Sequence, residues 1–150
     1  MRVYVETLLP FSVERVWQAI QSSALLAEAS APLLTFEPIE PAIQPERWTE
    51  LQRIRLRTFL FGSIALGERT IEVESIDLQS HVIETLERDQ VVRRWHHRMA
   101  IRPAARSQSL YSDTVDIEAG ILTPLVWAFA RLLYRHRHRR WRMVIESAKI

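Results

Sequence analysis

Near the C-terminus, residues 123–148 read TPLVWAFARLLYRHRHRRWRMVIESA. Thr123 followed by Pro124 predicts a helix start, because a hydroxyl can accept from the free amides of the first turn and a proline there needs no donor. Neither glycine nor a second proline follows, so we predict one helix of about 25 residues, roughly 38 Å long. Residues 122–134 are almost all apolar, and we expect that half to be covered nearly all round. Residues 135–142 read RHRHRRWR and are strongly basic.

Composition is that of one ordinary globular domain, residues 1–150. Apolar residues make up 47% and charged residues 25%, which argues against disorder. The absence of cysteine excludes a disulfide framework and a thiolate metal site. The N-terminus lacks the apolar core of a signal peptide, and the apolar run of about 13 residues in the helix is too short to cross a bilayer. We therefore expect a cytoplasmic protein without a transmembrane segment.

The residues before the helix predict strands interrupted by two short helices. A first strand alternates through residues 3–8 and ends at Pro10; Ser12 then caps a helix, and residues 23–29 form a second. Extended segments cover residues 33–41, 50–62, 66–77, 80–87, 91–102 and 107–120, and short turns between most of them predict an antiparallel meander. Its apolar face needs a cover, and only the long helix is large enough. The predicted fold class is α+β: a curved antiparallel sheet of six to seven strands wrapped around the C-terminal helix.

The last predicted hairpin brings polar groups to the inner face of the sheet. Alternation places Trp95, His97 and Met99 on the inner face of one strand, and Tyr111 and Asp113 on that of the next. A turn centred on residues 104–106 would pair 95 with 115, 97 with 113 and 99 with 111. Burying a histidine beside an aspartate offsets part of the desolvation of each. The group is an acid/base couple, a polar anchor for a ligand, or a satisfied structural pair; the catalytic candidates are His97, Asp113 and Tyr111.

Two stripes run along the long helix at helical spacing. One contains Trp127, Tyr134 and Trp141, and the other contains Leu125, Phe129, Leu132 and His136. One stripe should face the sheet and meet Trp95 and Met99. The other packs on the short helices or supports a homodimer. In the strand at 53–61, Phe59 and Phe61 share a face with arginines, which predicts either a bulge or an apolar patch near Gly62.

The remaining motifs exclude several kinds of chemistry. Neither His96 with His97 nor His136 with His138 has a chelating spacing, so we expect no metal site. The three glycines form no phosphate-binding loop and no serine lies in a nucleophile elbow. The basic segment 135–142 has a composition that binds anionic lipid or nucleic acid, although nothing else in the chain indicates nucleic acid. We favour a solvated or intramolecular role, in which these arginines complement the helix dipole and reach strand glutamates: Glu68, Glu72, Glu74, Glu84 and Glu87.

The order of elements resembles a known superfamily, as do the stretches VETLLPFSVERVWQAI (5–20), RRWHHRMAI (93–101) and YSDTVDIEAGILTP (111–124). The chain is similar to SRPBCC proteins, the helix-grip group of START-related, birch-pollen-allergen-like and polyketide-cyclase-like domains. That resemblance implies a cavity between sheet and helix that holds a hydrophobic or amphipathic small molecule, without a cofactor. Binding rather than catalysis is the favoured function. The alternatives are a cyclase or dehydratase using the His97–Asp113 pair, and an interaction protein that works through its basic helix end. The predicted ligand-binding residues are Trp95, His97, Met99, Tyr111, Asp113, Leu125, Phe129 and Leu133.

Overall fold

The computed structural model describes all 150 residues and contains seven strands and three α-helices. The strands are β1 (Arg2–Leu9), β2 (Leu34–Glu40), β3 (Arg53–Leu60), β4 (Ile64–Asp77), β5 (Val82–Arg88), β6 (Arg94–Pro103) and β7 (Ser109–Glu118). The helices are α1 (Val13–Gln21), α2 (Ser23–Ser30) and α3 (Thr123–Ser147), with a short 3₁₀ turn at Gly120–Leu122. No helix has the length and apolar character needed to span a membrane.

The strands form one antiparallel sheet in the order β1-β7-β6-β5-β4-β3-β2. Helices α1 and α2 connect the two edge strands, β1 and β2, and strands β2 to β7 follow one another as a meander. The predicted fold class is confirmed, with seven strands. Several strand ends differ from the prediction by one to three residues, and the segment predicted at 66–77 begins two residues earlier, at Ile64.

Serine caps set the two short helices. The Ser12 hydroxyl accepts from the Arg15 amide at 3.3 Å, as predicted, and Ser22 does the same for the Leu25 amide at 3.3 Å. The predicted cap at Thr123 is wrong. The hydroxyl of Thr123 accepts from the Ala119 amide and donates to the Gly120 carbonyl, because the 3₁₀ turn already leads the backbone into α3.

Burial along α3 is the reverse of the sequence-based prediction. The apolar half was expected to be covered nearly all round, yet Leu125 is 69% exposed and Leu132 57%. The basic half is the more deeply buried: Arg137, His138, Trp141, Val144 and Ile145 all lie inside. The sheet and the short helices therefore grip the C-terminal half of α3 more tightly than its N-terminal half.

The aromatic stripe of α3 faces the sheet. Tyr134 and Trp141 are buried, and the Tyr134 ring lies 6.1 Å from the Trp95 ring. Trp141 and Met99 belong to the main apolar core, in which Trp141 packs edge-on against Tyr111 at 5.8 Å. In the second stripe, His136 Nε2 lies 2.8 Å from the Ala31 carbonyl oxygen after α2, whereas the leucines point outward.

The β3–β4 hairpin contains both features that were proposed for it. The register shifts after Thr58, so Thr58 faces Gly67 and Phe59 faces Ala65, which makes Leu66 an extra residue. Beyond the bulge, Phe61 and Ile64 are exposed at the hairpin tip beside Gly62. The tip is therefore apolar on its outer side.

The predicted register of the last hairpin is wrong by two residues. His97 lies opposite Val115, Met99 opposite Asp113 and Ile101 opposite Tyr111. The loop is centred on residue 106, because the Ala104 amide bonds to the Gln108 carbonyl at 3.0 Å. A shift of two residues leaves every side chain on its predicted face. His97 and Asp113 become diagonal rather than direct neighbours, which long side chains can still bridge.

Candidate functional site

A cavity of about 330 Å³ lies between the N-terminal half of α3 and the sheet. Nine of its twelve lining residues are apolar. The strands and the β5–β6 loop contribute Leu34, Thr58, Leu60, Leu66, Arg69, Asp89, Val91, Val92 and Trp95, and α3 contributes Leu125, Val126 and Phe129. The opening is at the least covered part of the helix, since Leu125, Leu66 and Val91 are all exposed.

The polar part of the cavity wall is an arginine held by two carboxylates. Arg69 donates to Glu87 at 3.0 Å and to Asp89 at 2.8 Å, and its guanidinium lies 4.7 Å from the centre of the Trp95 ring. Asp89 also accepts the amides of Val91 and Val92 at 2.8 and 2.7 Å. Burial raises the pKa of Asp89, but the Val92 amide and Arg69 outweigh it and hold that pKa below its usual value. The arginine at this wall is therefore already neutralised.

A second, fully enclosed polar group surrounds Asp113. His97 Nε2 donates to its Oδ1 at 2.6 Å, the Tyr111 hydroxyl donates to the same oxygen at 2.8 Å, and His138 Nε2 donates to Oδ2 at 2.8 Å. An ionised carboxylate can only accept, so both imidazoles must carry a proton on Nε2. Asp113 thus joins β6, β7 and α3 by three hydrogen bonds.

The ionisation of this cluster follows from its partners. Burial opposes the charge on Asp113, but the electrostatic interaction with His97 and the hydrogen bonds from His138 and His97 outweigh it and hold the pKa of Asp113 well below its usual value. Burial, with the neighbouring Asp113 carboxylate, raises the pKa of Tyr111 well above its usual value. Tyr111 is therefore a hydrogen-bond donor at every ordinary pH.

Buried contacts connect the enclosed cluster to the cavity wall. The Trp95 indole donates to the Tyr134 hydroxyl at 3.2 Å, and the Tyr134 ring lies 5.0 Å from the His97 ring. The Arg137 guanidinium also lies over this tyrosine ring, 5.0 Å from its centre, and donates to the Ser30 hydroxyl at 3.1 and 2.9 Å. Trp95 and Tyr134 thus lie between the cavity and the cluster around Asp113.

The predicted site residues divide between these two places. Trp95, Leu125 and Phe129 line the cavity, whereas His97, Tyr111 and Asp113 form the enclosed cluster. Met99 lies in the main core, and Leu133 packs with Leu33 and Leu34 in a small cluster beside the cavity. The fold does not bring all eight residues together in a single site.

Several important residues were missed in the sequence. His138 lies four residues after Tyr134 and three before Trp141, so its place on the sheet-facing stripe was readable from helical spacing. The pairing of Arg69 with Asp89 depends on a loop between β5 and β6 and had no local signal. The predicted contacts between the basic helix segment and the strand glutamates are wrong, because those glutamates pair with strand arginines and His96.

Comparison with known proteins places the chain in a family and a fold. Residues 7–145 match the family described as Domain of unknown function (DUF8410). No curated protein sequence matches the chain.

Similar solved structures cover nearly the whole chain. The Zhui aromatase/cyclase from Streptomyces sp. R1128 is 10% identical, with a TM-score of 0.74 and coverage of 97% of this chain and 93% of that one. A START superfamily protein from Mycobacterium smegmatis is 13% identical, with a TM-score of 0.71 and 97% coverage of both chains. Norcoclaurine synthase from Thalictrum flavum is 10% identical, with a TM-score of 0.68 and coverage of 99% and 95%. The chain belongs to the DUF8410 family and has the helix-grip fold of the SRPBCC superfamily.

Proposed function

We propose that this protein binds one small, largely apolar molecule in the cavity under the N-terminal half of α3. The observation that carries the proposal is the cavity itself, with its volume of about 330 Å³ and nine apolar residues among twelve. Ligand pockets range from roughly 300 to 1,000 Å³ and combine apolar walls with a few polar groups. The cavity is at the small end of that range, which suits a compact ligand. The shared helix-grip fold supports the proposal without naming the ligand.

The charges on the cavity wall indicate a ligand without a carboxylate or phosphate. Arg69 carries the only positive charge in the lining, and two carboxylates already hold it. An anion entering here would meet Asp89 at short range in a medium of low dielectric constant. A neutral molecule with one hydroxyl or carbonyl group near this wall avoids that repulsion. The predicted hydrophobic or amphipathic ligand is therefore narrowed to neutral amphipathic molecules.

The enclosed cluster supports binding over the cyclase or dehydratase alternative. His97 is 2% exposed, Tyr111 and Asp113 are 0% exposed, and none of the three lines the cavity. A general acid or base must come within hydrogen-bonding reach of its substrate. These residues instead satisfy one another while they fasten β6 and β7 to α3. We infer a positioning role for the cluster and no contact with the ligand.

The experiment is a titration with the neutral fluorescent probe N-phenylnaphthylamine. The parent protein should bind one equivalent with enhanced emission. The substitution Val126→Trp fills the cavity and should weaken binding at least about tenfold, since the added ring occupies the space of the probe. Ala128→Trp is the matched control, because Ala128 is exposed on the same helix and does not line the cavity. Equal affinity in the parent and in Val126→Trp would overturn the proposal.

Two other sequence-based expectations stay predictions. The exposed leucines of α3 offer an apolar surface to a second copy, and light scattering of the purified protein would show whether a homodimer forms. A cytoplasmic location also remains a prediction, which expression of a fluorescent fusion would test.

A further inference from the structure

The outer face of α3 carries a row of four arginines, of which only one has an acidic partner. Arg131, Arg135, Arg139 and Arg142 follow one another at intervals of four, four and three residues, and all four are exposed. They span about 17 Å of helix. Only Arg142 has a carboxylate partner, Glu146 at 3.1 Å, which is also the only acidic residue in α3. The face therefore presents concentrated positive charge that the fold itself does not neutralise.

Large apolar side chains border this row. Leu125, Leu132 and Met143 are 69%, 57% and 50% exposed and project from the side of the helix that adjoins the arginines. Leu125 also lines the cavity, so the apolar border continues into the cavity mouth, where Leu66 and Val91 are exposed as well. The ligand entrance and the basic row thus share one side of the molecule.

We propose that this side of the molecule, the outer face of α3 with the cavity mouth, docks on the surface of an anionic lipid bilayer. The arginines would reach the lipid phosphates and carboxylates while their stems lie along the headgroup region. The leucines and Met143 would enter the boundary between headgroups and acyl chains, as on other interfacial amphipathic helices. The proposal rests on the proposed function, because the bilayer would be the source from which a sparingly water-soluble ligand enters the cavity.

The apolar border distinguishes a bilayer from other anionic partners. Nucleic acids neutralise arginines through phosphates, but they accept apolar side chains only between unstacked bases or at base edges in a groove, not in a row alongside the phosphates. A bilayer interface accepts both kinds of side chain side by side, the arginines at the phosphates and the leucines just beneath them. The helix would lie on the surface and not across it, since no helix here is apolar enough to span.

Cosedimentation with vesicles tests the proposal on the full chain. The parent should bind vesicles of equal phosphatidylcholine and phosphatidylserine, bind phosphatidylcholine alone weakly, and be released by high salt. Each arginine near an anionic surface strengthens binding about fivefold, so replacing Arg131, Arg135 and Arg139 with glutamine should weaken it about one hundredfold. Replacing Arg53, Arg94 and Arg98 with glutamine is the matched control, because it removes the same charge from exposed sites on the strands.

Two further measurements separate the possible failures. Leu132→Ser should weaken vesicle binding but leave the affinity for a short single-stranded oligonucleotide unchanged. If the parent bound the oligonucleotide more tightly than the vesicles, the proposal would be overturned in favour of nucleic acid. Equal vesicle affinity for the two triple variants would overturn it outright. Titration with N-phenylnaphthylamine in the absence of vesicles reports the cavity alone. Normal probe binding with no vesicle binding would refute the docking face and leave the proposed ligand function standing.

Discussion

Replacing Asp113 with leucine tests whether the enclosed cluster fastens α3 to the sheet. The substitution removes the only acceptor for three buried donors: His97 Nε2, the Tyr111 hydroxyl and His138 Nε2. Each buried donor left without a partner costs about 1–3 kcal/mol, so three cost about 3–9 kcal/mol. We expect a loss in the lower half of that range, about 5 kcal/mol, against a total stability of about 5–15 kcal/mol for a domain of ordinary stability.

Urea unfolding followed by tryptophan fluorescence measures this loss. With an m-value of about 2 kcal/mol per molar urea, 5 kcal/mol moves the midpoint by about 2.5 M. Asp113→Asn should lose less, because its amide oxygen still accepts from His97 and Tyr111. Asp116→Asn is the matched control on the same strand, where the carboxylate is exposed and paired with Arg2, and should change little. A loss below about 1 kcal/mol for Asp113→Leu would refute the argument that these bonds hold the helix.

Three further predictions concern acid stability, the cavity wall and catalysis. The pKa of Asp113 is lower in the folded than in the unfolded chain. Its contribution to the free energy of unfolding is therefore complete above about pH 4 and is lost as the pH falls toward the folded pKa. The decrease in the free energy of unfolding from pH 5 to 2 should be smaller in Asp113→Asn than in the parent. Phe129→Ala should cost about 1–2 kcal/mol in urea, less than a fully buried phenylalanine, and should alter probe affinity because Phe129 lines the cavity. His97→Leu should destabilise the protein but keep probe affinity within about twofold of the parent. A much larger change in probe affinity would show that His97 takes part in ligand binding.

The architecture was readable because its signals are local and repeated. Alternation along each strand, the serine cap of α1 and the uninterrupted α3 stretch specify the elements, and their order resembles that of helix-grip proteins. Inner-face residues were also predictable, since a strand has only two faces and His97 and Asp113 fall on the apolar one. Hairpin register depended on the geometry of one loop, which sequence describes poorly, and the pairing was therefore wrong by two residues.

The candidate site was harder because it depends on which half of α3 the sheet covers. Hydrophobicity alone favoured burial of residues 122–134, but burial follows from packing partners and not from composition. Arg137 and His138 are buried where Ser30 and Asp113 each accept hydrogen bonds from them, while Arg137 Nη1 and His138 Nδ1 have no partner. No local pattern in the sequence identifies partners on such distant elements. The cavity lies under this apolar half of the helix, beside Leu125 and Phe129, which were both predicted to bind the ligand. His97, Tyr111 and Asp113, predicted for the same site, lie outside its lining.

Because of the reversed burial, the C-terminal end of α3 is held more firmly than its N-terminal end. Its far end is clamped by Trp141, Val144 and Ile145 in the main core, while the end near Thr123 bears on the rim of the cavity. Amide hydrogens in the first two turns should exchange faster than those beyond Tyr134, because fewer buried contacts resist local opening there. Local opening of these turns would widen the cavity mouth at Leu125, while the core contacts of the C-terminal half keep the domain folded.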